Sequence, residues 1–449
     1  MNYPNTWLRV TRSGSTFTGY TGVDGTSWIQ LGSVTISMSG TIYIGMAVSA
    51  AVTNGSSISN VTAQFREFMV NTSTGVATAT PEVEPPGPSS RRTPIVITEI
   101  MYNPASSTNV LEFIEIYNSN PFFEDIGGYH IGGDIEYYFP AGTILRAGEY
   151  RVIARNPAHV QAAYNITGVW GPYLNGLKES GTVRLRNKED AILLEVNYDN
   201  SPPWPVAADG AGHSLVLARP SFGEGYIQAW GQSEKVGGSP GAHDGIGSNP
   251  QRNVVINEFL ANSDGTNVDY IELYNHSNVE VDMSGCTLSD DPHTNKFVFP
   301  PNTKIAANSF LVFYQGTLGF GLSSGGETIF LRSSDGTRVL DAVRYEAQAA
   351  NVPSGRYPNG AKEIYPLTTQ TPGAANAPIL INDIVINEIM YKPISGSNED
   401  EYVELYNKGA SPVNIGGWRF TAGISYKFPT NTILAAGGYL VVARDMGRL

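Results

Sequence analysis

Apolar and polar residues alternate along most of the chain in short runs bounded by Gly, Pro, Asn and Asp. A period of two predicts β-strands with one face toward a core and one toward solvent. The clearest runs come in pairs, and the pairs recur. IVITEIMYNPASSTNVLEFIEIYN spans Ile95 to Asn118, VVINEFLANSDGTNVDYIELYN spans Val254 to Asn275, and IVINEIMYKPISGSNEDEYVELYN spans Ile384 to Asn407. In each pair the first predicted strand ends in Glu99, Glu258 or Glu388. The second carries Glu115, Glu272 or Glu404 and closes on Asn118, Asn275 or Asn407. The two acids lie 16, 14 and 16 positions apart, so the connecting loop tolerates length change where the strands do not.

A second block follows in register, opening on Phe139-Pro140, Phe299-Pro300 and Phe428-Pro429, with Tyr129, Cys286 and Trp418 between the blocks. The copies start 159 and 130 residues apart, which is the size of a domain and not of a solenoid repeat. The expected sandwiches cover 94–247 and 253–377, and a truncated third covers 383–449. The third lacks its siblings' later strands, so an interior face would be exposed and the chain reads as cut there. Asn156 to Asn175 is an insertion in which NPAHVQAAYNITGV is expected to form the one short helix.

Ahead of the repeats, residues 1–75 read as a meander. Strands are expected at Trp7–Arg12, Thr16–Tyr20, Trp28–Leu31, Val34–Met38, Ile42–Val48 and Val61–Val70, with a hairpin at Asp24-Gly25. Residues 76–93 form a Pro-rich linker, suited to an extended spacer. The 449 residues include 49 Gly and 28 Pro but only 15% charged residues, which favours many strands and turns over helices. The fold class is therefore all-β.

From Pro94 onward the chain resembles the bacterial form of the lamin tail domain. The resemblance rests on the INEIMYxP opening, the YVELYN strand, the GGW turn and the FPxxTxLxxGxYLVVAR block. It implies tandem immunoglobulin-like β-sandwiches acting as non-catalytic modules of large exported or surface-attached proteins, whose partners are other modules of the same polypeptide, polysaccharide or surface proteins. Residues 1–75 resemble the C-terminal half of a concanavalin-like jelly roll. That half-module would leave sheet edges uncovered, which makes Met1 an internal start. It implies sugar contact through the flat faces of Trp7, Tyr20 and Trp28.

Charge and cysteine content narrow the functional classes. A net charge of −13 argues against nucleic acid, which needs clustered Lys and Arg. Cys286 is the single cysteine, so no internal disulfide can form. No apolar run is long enough for a membrane span.

The repeated glutamates read as parts of the scaffold. The expectation is that Glu258 and Glu272 sit on facing sheet ends and accept hydrogen bonds from turn amides or a hydroxyl. A catalytic carboxylate pair would need one asymmetric pocket and not three copies. The oxygen-rich stretches Ala261–Asp269 and Ser289–Asn295 could hold Ca²⁺ but lack the helix-loop-helix pattern, so solvated turns are expected and no cofactor is assigned. Gly237 to Gly241 matches G-x-S-x-G without the helix a nucleophile elbow requires. His213-Ser214 has no acidic partner assignable from sequence.

The reading is a binding or architectural region without chemistry of its own, extracellular or at a cell surface. The alternative is the accessory region of an exported enzyme, a glycosidase or a spore-coat-type kinase.

Overall fold

The computed structural model describes residues 7–22, 29–37, 84–105, 110–245, 247, 249–265, 267–420 and 423–448. These belong to two compact units, Met1–Asn71 and Thr72–Leu449. In the first, Trp7–Ser13, Thr16–Gly22 and Ile29–Thr35 form an antiparallel three-stranded sheet. The two strands expected at Trp28–Leu31 and Val34–Met38 are one, because Leu31 is accommodated as a bulge opposite Gly19 and Tyr20. Trp28, the hairpin at Asp24-Gly25 and the strands expected at Ile42–Val48 and Val61–Val70 lie outside the described residues.

In the second unit, repeat one is a sandwich of two five-stranded antiparallel sheets. One sheet runs in the order Tyr150–Ala154, Phe113–Asn118, Ile95–Met101, Leu215–Leu217, Trp230–Gln232. The other is built around the hairpin Gly181–Arg186 and Ile192–Tyr198. Repeat two repeats this plan with Phe310–Tyr314, Tyr270–Asn275, Val254–Leu260, Ser354–Arg356 and Ile364–Pro366 against a four-stranded sheet. Buried Ile, Val, Leu and aromatic side chains from facing strands fill each interior.

The strands carrying the first glutamates do not end there. Each continues to Met101, Leu260 or Met390, because a β-bulge precedes the acid. Ile95 and Ile97 point into the core, and so do Ile100 and Tyr102. A period of two cannot connect 97 to 100. Thr98 is the extra residue, and it turns both itself and Glu99 toward the outer face of the sheet. Asn257 and Asn387 do the same for Glu258 and Glu388.

That outer face is covered. In repeat one, helix Pro157–Tyr164 is capped by Asn156, begins with Pro157 and ends at Asn165 in the left-handed conformation. Its Val160 packs on Met101, Phe113, Val152 and Ala154. It is not the one helix of the chain. Repeat two carries a single turn, Gln315–Leu318, at the corresponding position, and Leu318 joins the core.

Repeats one and two also meet through specific contacts. Ala207 and Ala211 bury against Phe330 and Val339. The Val339 N–H donates to His213 Nε2 (2.9 Å), Gln232 Nε2 donates to the Val339 carbonyl (2.8 Å), and the Val236 N–H donates to the Thr337 carbonyl (2.8 Å). Arg338 pairs with Glu234 at 2.8 Å and Arg344 with Asp209 at 2.8 Å.

Repeat three has a three-stranded sheet, Ile384–Met390, Tyr402–Asn407 and Tyr439–Ala443, over a small core of Leu405, Ile415, Phe428, Leu434 and Val442. Ile386 and Ile389 are exposed there, whereas their counterparts Ile97 and Ile100 are fully buried.

The closing asparagines are the polar pins of all three copies. Each is fully buried. Asn118 donates to the carbonyls of Phe122 and Leu145, Asn275 to those of Val279 and Ile305, and Asn407 to those of Ser411 and Leu434. Their Oδ1 atoms accept the N–H of Asn120, Ser277 and Gly409. Removing the amide leaves buried carbonyls unpaired. Asn275→Ala should therefore destabilise repeat two by about 2–4 kcal/mol, seen as an earlier urea transition. A change within about 0.5 kcal/mol would show that the pin is dispensable.

Candidate functional site

Bulge, strand pairing and a distant turn converge on the glutamates. Glu99 and Glu115 are not on facing sheet ends. They are direct cross-strand neighbours on the outer face of one sheet, as are Glu258 with Glu272 and Glu388 with Glu404. In repeats one and two all four are buried. Two carboxylates placed this way repel each other and have lost solvent, so they require donors.

Three kinds of donor supply them. The bulge residue serves the second acid: Thr98 Oγ1 donates to Glu115 (2.7 Å), Asn257 Nδ2 to Glu272 (3.0 Å) and Asn387 Nδ2 to Glu404 (2.7 Å). A hydroxyl serves the first acid. It comes from Tyr270 for Glu258 and Tyr402 for Glu388, from the strand alongside. Repeat one has Phe113 at that position, and Ser214, just ahead of the neighbouring strand Leu215–Leu217, donates to Glu99 instead. This is the acidic partner of Ser214 that the sequence did not reveal.

The third donor is the turn near the end of each complete repeat. In Ser239-Pro240-Gly241 the Ser239 N–H donates to Glu99 (3.1 Å) and the Gly241 N–H to Glu115 (2.6 Å). In Thr371-Pro372-Gly373 the Thr371 N–H donates to Glu258 (2.9 Å) and the Gly373 N–H to Glu272 (2.6 Å). Gly241 and Gly373 hold φ of 90° and 82°, which glycine adopts without strain. A Cβ on Gly238 would collide with Glu99 and Ser214, so the backbone reaches the carboxylate only because none is there. The result is a clasp in which a paired acid fastens a turn onto a sheet. In repeat three Glu388 is exposed and Glu404 partly so, with no such turn over them among the described residues.

Burial pushes the Glu99 carboxyl up to about 8 and that of Glu272 up to about 7. Burial first, and the charge of Glu99 second, hold Glu115 well above the usual carboxylate range. The pair in repeat one thus favours holding a proton at neutral pH.

The remaining candidates hold no free chemistry. Ser239, the serine of the G-x-S-x-G match, points its hydroxyl at Glu99. His213 is buried and accepts the Val339 N–H, and burial together with the nearby Arg338 charge lowers its pKa to about 3. Cys286 lies in the core of repeat two, where burial pushes its thiol up to about 12. In Ser289–Asn295, Asp290 pairs with Lys296 at 2.5 Å and Asp291 accepts the His293 N–H at 2.7 Å. The loop Ala261–Asp269 is tied to Gln348 and Asn351. Among the described residues, no group of three or more His, Cys, Asp or Glu is placed to hold a metal. Tyr20 lies in the first unit's sheet with the Arg9 guanidinium 5.8 Å from its ring centre, and Trp7 lies in the adjacent strand.

The lamin tail domain pattern matches residues 88–200, 248–347 and 380–448, more than half of the sequence. The chain belongs to the lamin tail domain family. Three lamin tail domains thus follow one another, and the strand-and-turn segments that close the clasps, 215–241 and 354–373, lie beyond the matched residues. The matches begin at residue 88 and lend nothing to a jelly-roll reading of 1–75. No curated protein matches the chain significantly. A solved structure from a study of inhibition of the exo-β-D-glucosaminidase CsxA aligns with 12% identity and a TM-score of 0.14, which carries no argument. The alignment covers 56% of this chain and 26% of that one.

Two outcomes test the clasp. Tyr270→Phe removes the hydroxyl donor of a buried acid and should cost repeat two about 1–3 kcal/mol, as Ser214→Ala should cost repeat one. Chemical denaturation of the full chain reads both, and loss-free variants would contradict the geometry. The pH dependence has a fixed sign. Folded pKa values above the ordinary 4.5 mean that the folded clasps hold protons the unfolded chain releases. The associated stability is complete below about 4.5, falls with rising pH, and is gone above about 7 for Glu272 and about 8 for Glu99. Thermal unfolding should accordingly shift down between pH 5 and pH 8.5, and a flat or rising profile would contradict the assignment.

Proposed function

We propose that the chain is a non-catalytic spacing and binding region of a larger secreted or cell-surface protein. The supporting observation is that the recurring acids of repeats one and two are spent on holding those lamin tail domains together. Ser214 and Ser239 give their hydroxyls to Glu99, and Ser233, whose Oγ lies 3.2 Å from His213 Nδ1, donates its hydroxyl to the Lys235 carbonyl while His213 accepts the Val339 N–H at the junction. The two complete domains are joined by buried side chains and ion pairs as well as by their linker, an arrangement that sets their relative orientation. A pair of sandwiches fixed in this way presents neighbouring modules at a defined distance, and the acidic net charge of −13 suits an exported surface. No described helix is long and apolar enough to cross a membrane.

Spin labels on cysteines replacing Lys188 and Thr294, both exposed, test the spacer reading in the full chain; Cys286 is buried and takes no label. One narrow inter-label distance is expected, broadening when Arg338→Ala and Arg344→Ala are combined. A broad distribution in the parent chain would rule out a fixed spacer.

A further inference from the structure

The loop that closes the clasp of repeat one also builds the junction to repeat two. From Ser233 to Asp244 it makes contacts in both directions. Toward the clasp, Ser239 and Gly241 donate their N–H groups to Glu99 and Glu115, and Gly238 packs against the Glu99 carboxylate. Toward the junction, Glu234 pairs with Arg338 of repeat two (2.8 Å) and with Arg252 of the connecting segment (2.6 Å), while Val236 bonds to Thr337. Two further links join the ends. Asp244 accepts the Glu234 N–H at 3.0 Å. Ser233 Oγ accepts the Ser214 N–H (3.1 Å), its carbonyl faces His213 Nδ1 (2.8 Å), Ser214 donates to Glu99, and His213 accepts from Val339 across the junction.

We infer that the clasp of repeat one is a proton-operated lock on the orientation of repeat two. With a proton held on the buried pair, the loop lies on the sheet and holds Glu234, Val236 and Ser233 where repeat two meets them. Loss of that proton leaves two buried anions side by side, with Asp244 adding a third negative charge nearby. The remaining donors are the hydroxyls of Thr98, Ser214 and Ser239 and the two turn amides, with no cation among them. The clasp opens to hydrate the charges, and the loop releases the junction with it.

Other titratable groups flank the pair and the junction. Tyr164 from the helix and Tyr150 from the adjacent strand are pushed upward by burial and stay neutral. His213 is held neutral at the junction. Arg338 and Arg252 neutralise Glu234 but make no bond to the clasp. His243 and Asp244 line the cleft beside the pair. Repeat two supplies an internal control: its clasp, Glu258 with Glu272, is closed by Thr371 and Gly373, which are not part of this junction.

The inference rests on the fixed-spacer reading, and one titration separates the two. With the labels at positions 188 and 294, the full chain should give a narrow distance at pH 6, and that result alone supports the spacer. Raising the pH to 9.5 should broaden it reversibly, with a midpoint near 8. Glu115→Gln, which cannot ionise, should keep the distance narrow to pH 9.5, while Glu272→Gln should leave the broadening unchanged. A distance that stays narrow to pH 9.5 in the parent chain, or broadens equally in Glu115→Gln, overturns the lock while leaving the spacer standing. Should Glu115→Gln fail to fold, the parent titration and the Glu272→Gln control still decide.

Discussion

Two carboxylates buried side by side on one sheet are the constraint from which the rest of repeats one and two follows. Neither can be left without donors, because an unpaired buried acid costs more than most side-chain contacts return. Strand pairing alone cannot satisfy them, since ladder amides are already engaged with the neighbouring strand. The bulge at Thr98 or Asn257 brings one donor to the outer face and keeps the flanking isoleucines in the core. The remaining donors come from a hydroxyl and from a turn more than a hundred residues along the chain. A repeat is thereby closed from first strand to last by polar contacts, with the hydrophobic interior lying on the other side of the sheet.

Comparison of the copies shows which part of this arrangement is fixed. The pair of acids and the place of the bulge donor are constant, although that donor is a hydroxyl in Thr98 and a side-chain amide in Asn257 and Asn387. The hydroxyl is constant only in position relative to the acid: Tyr270 and Tyr402 deliver it from the strand on one side, Ser214 from the residue ahead of the strand on the other. Where Phe113 removes the phenol, Ser214 restores the bond, and where Tyr270 supplies it the residue before Ser354 is Pro353, which has no donor. Substitutions at two separated positions therefore compensate because they serve one oxygen.

Much of this was legible in the sequence. Recurrence of the strand pairs, the Phe-Pro blocks and the Gly-rich turns disclosed an all-β tandem array, because a fold-determining pattern must repeat wherever the fold does. Ile271 and Leu273 face the core and Glu272 the other side, following the period-two rule. The clasp was not assembled from the sequence. Its signal was present in the broken alternation of Ile95, Ile97, Ile100 and Tyr102, and in the Ser/Thr-Pro-Gly that recurs at 239–241 and 371–373. Joining them requires knowing that strand 215–217 returns beside strand 95–101, a pairing set by the whole sheet and not by local spacing. The acidic partner of Ser214 could not be assigned from sequence because it lies 115 residues away.

Native-state hydrogen exchange of the full chain addresses the clasp most directly. The backbone N–H groups of Ser239, Gly241, Thr371 and Gly373 belong to turns, yet each is bonded to a buried carboxylate. Protection approaching that of the core strands Ile95–Met101 and Val254–Leu260 is expected for all four. Exchange as fast as in the exposed turn at Ala141 and Gly142 would contradict the claim that these acids close the fold.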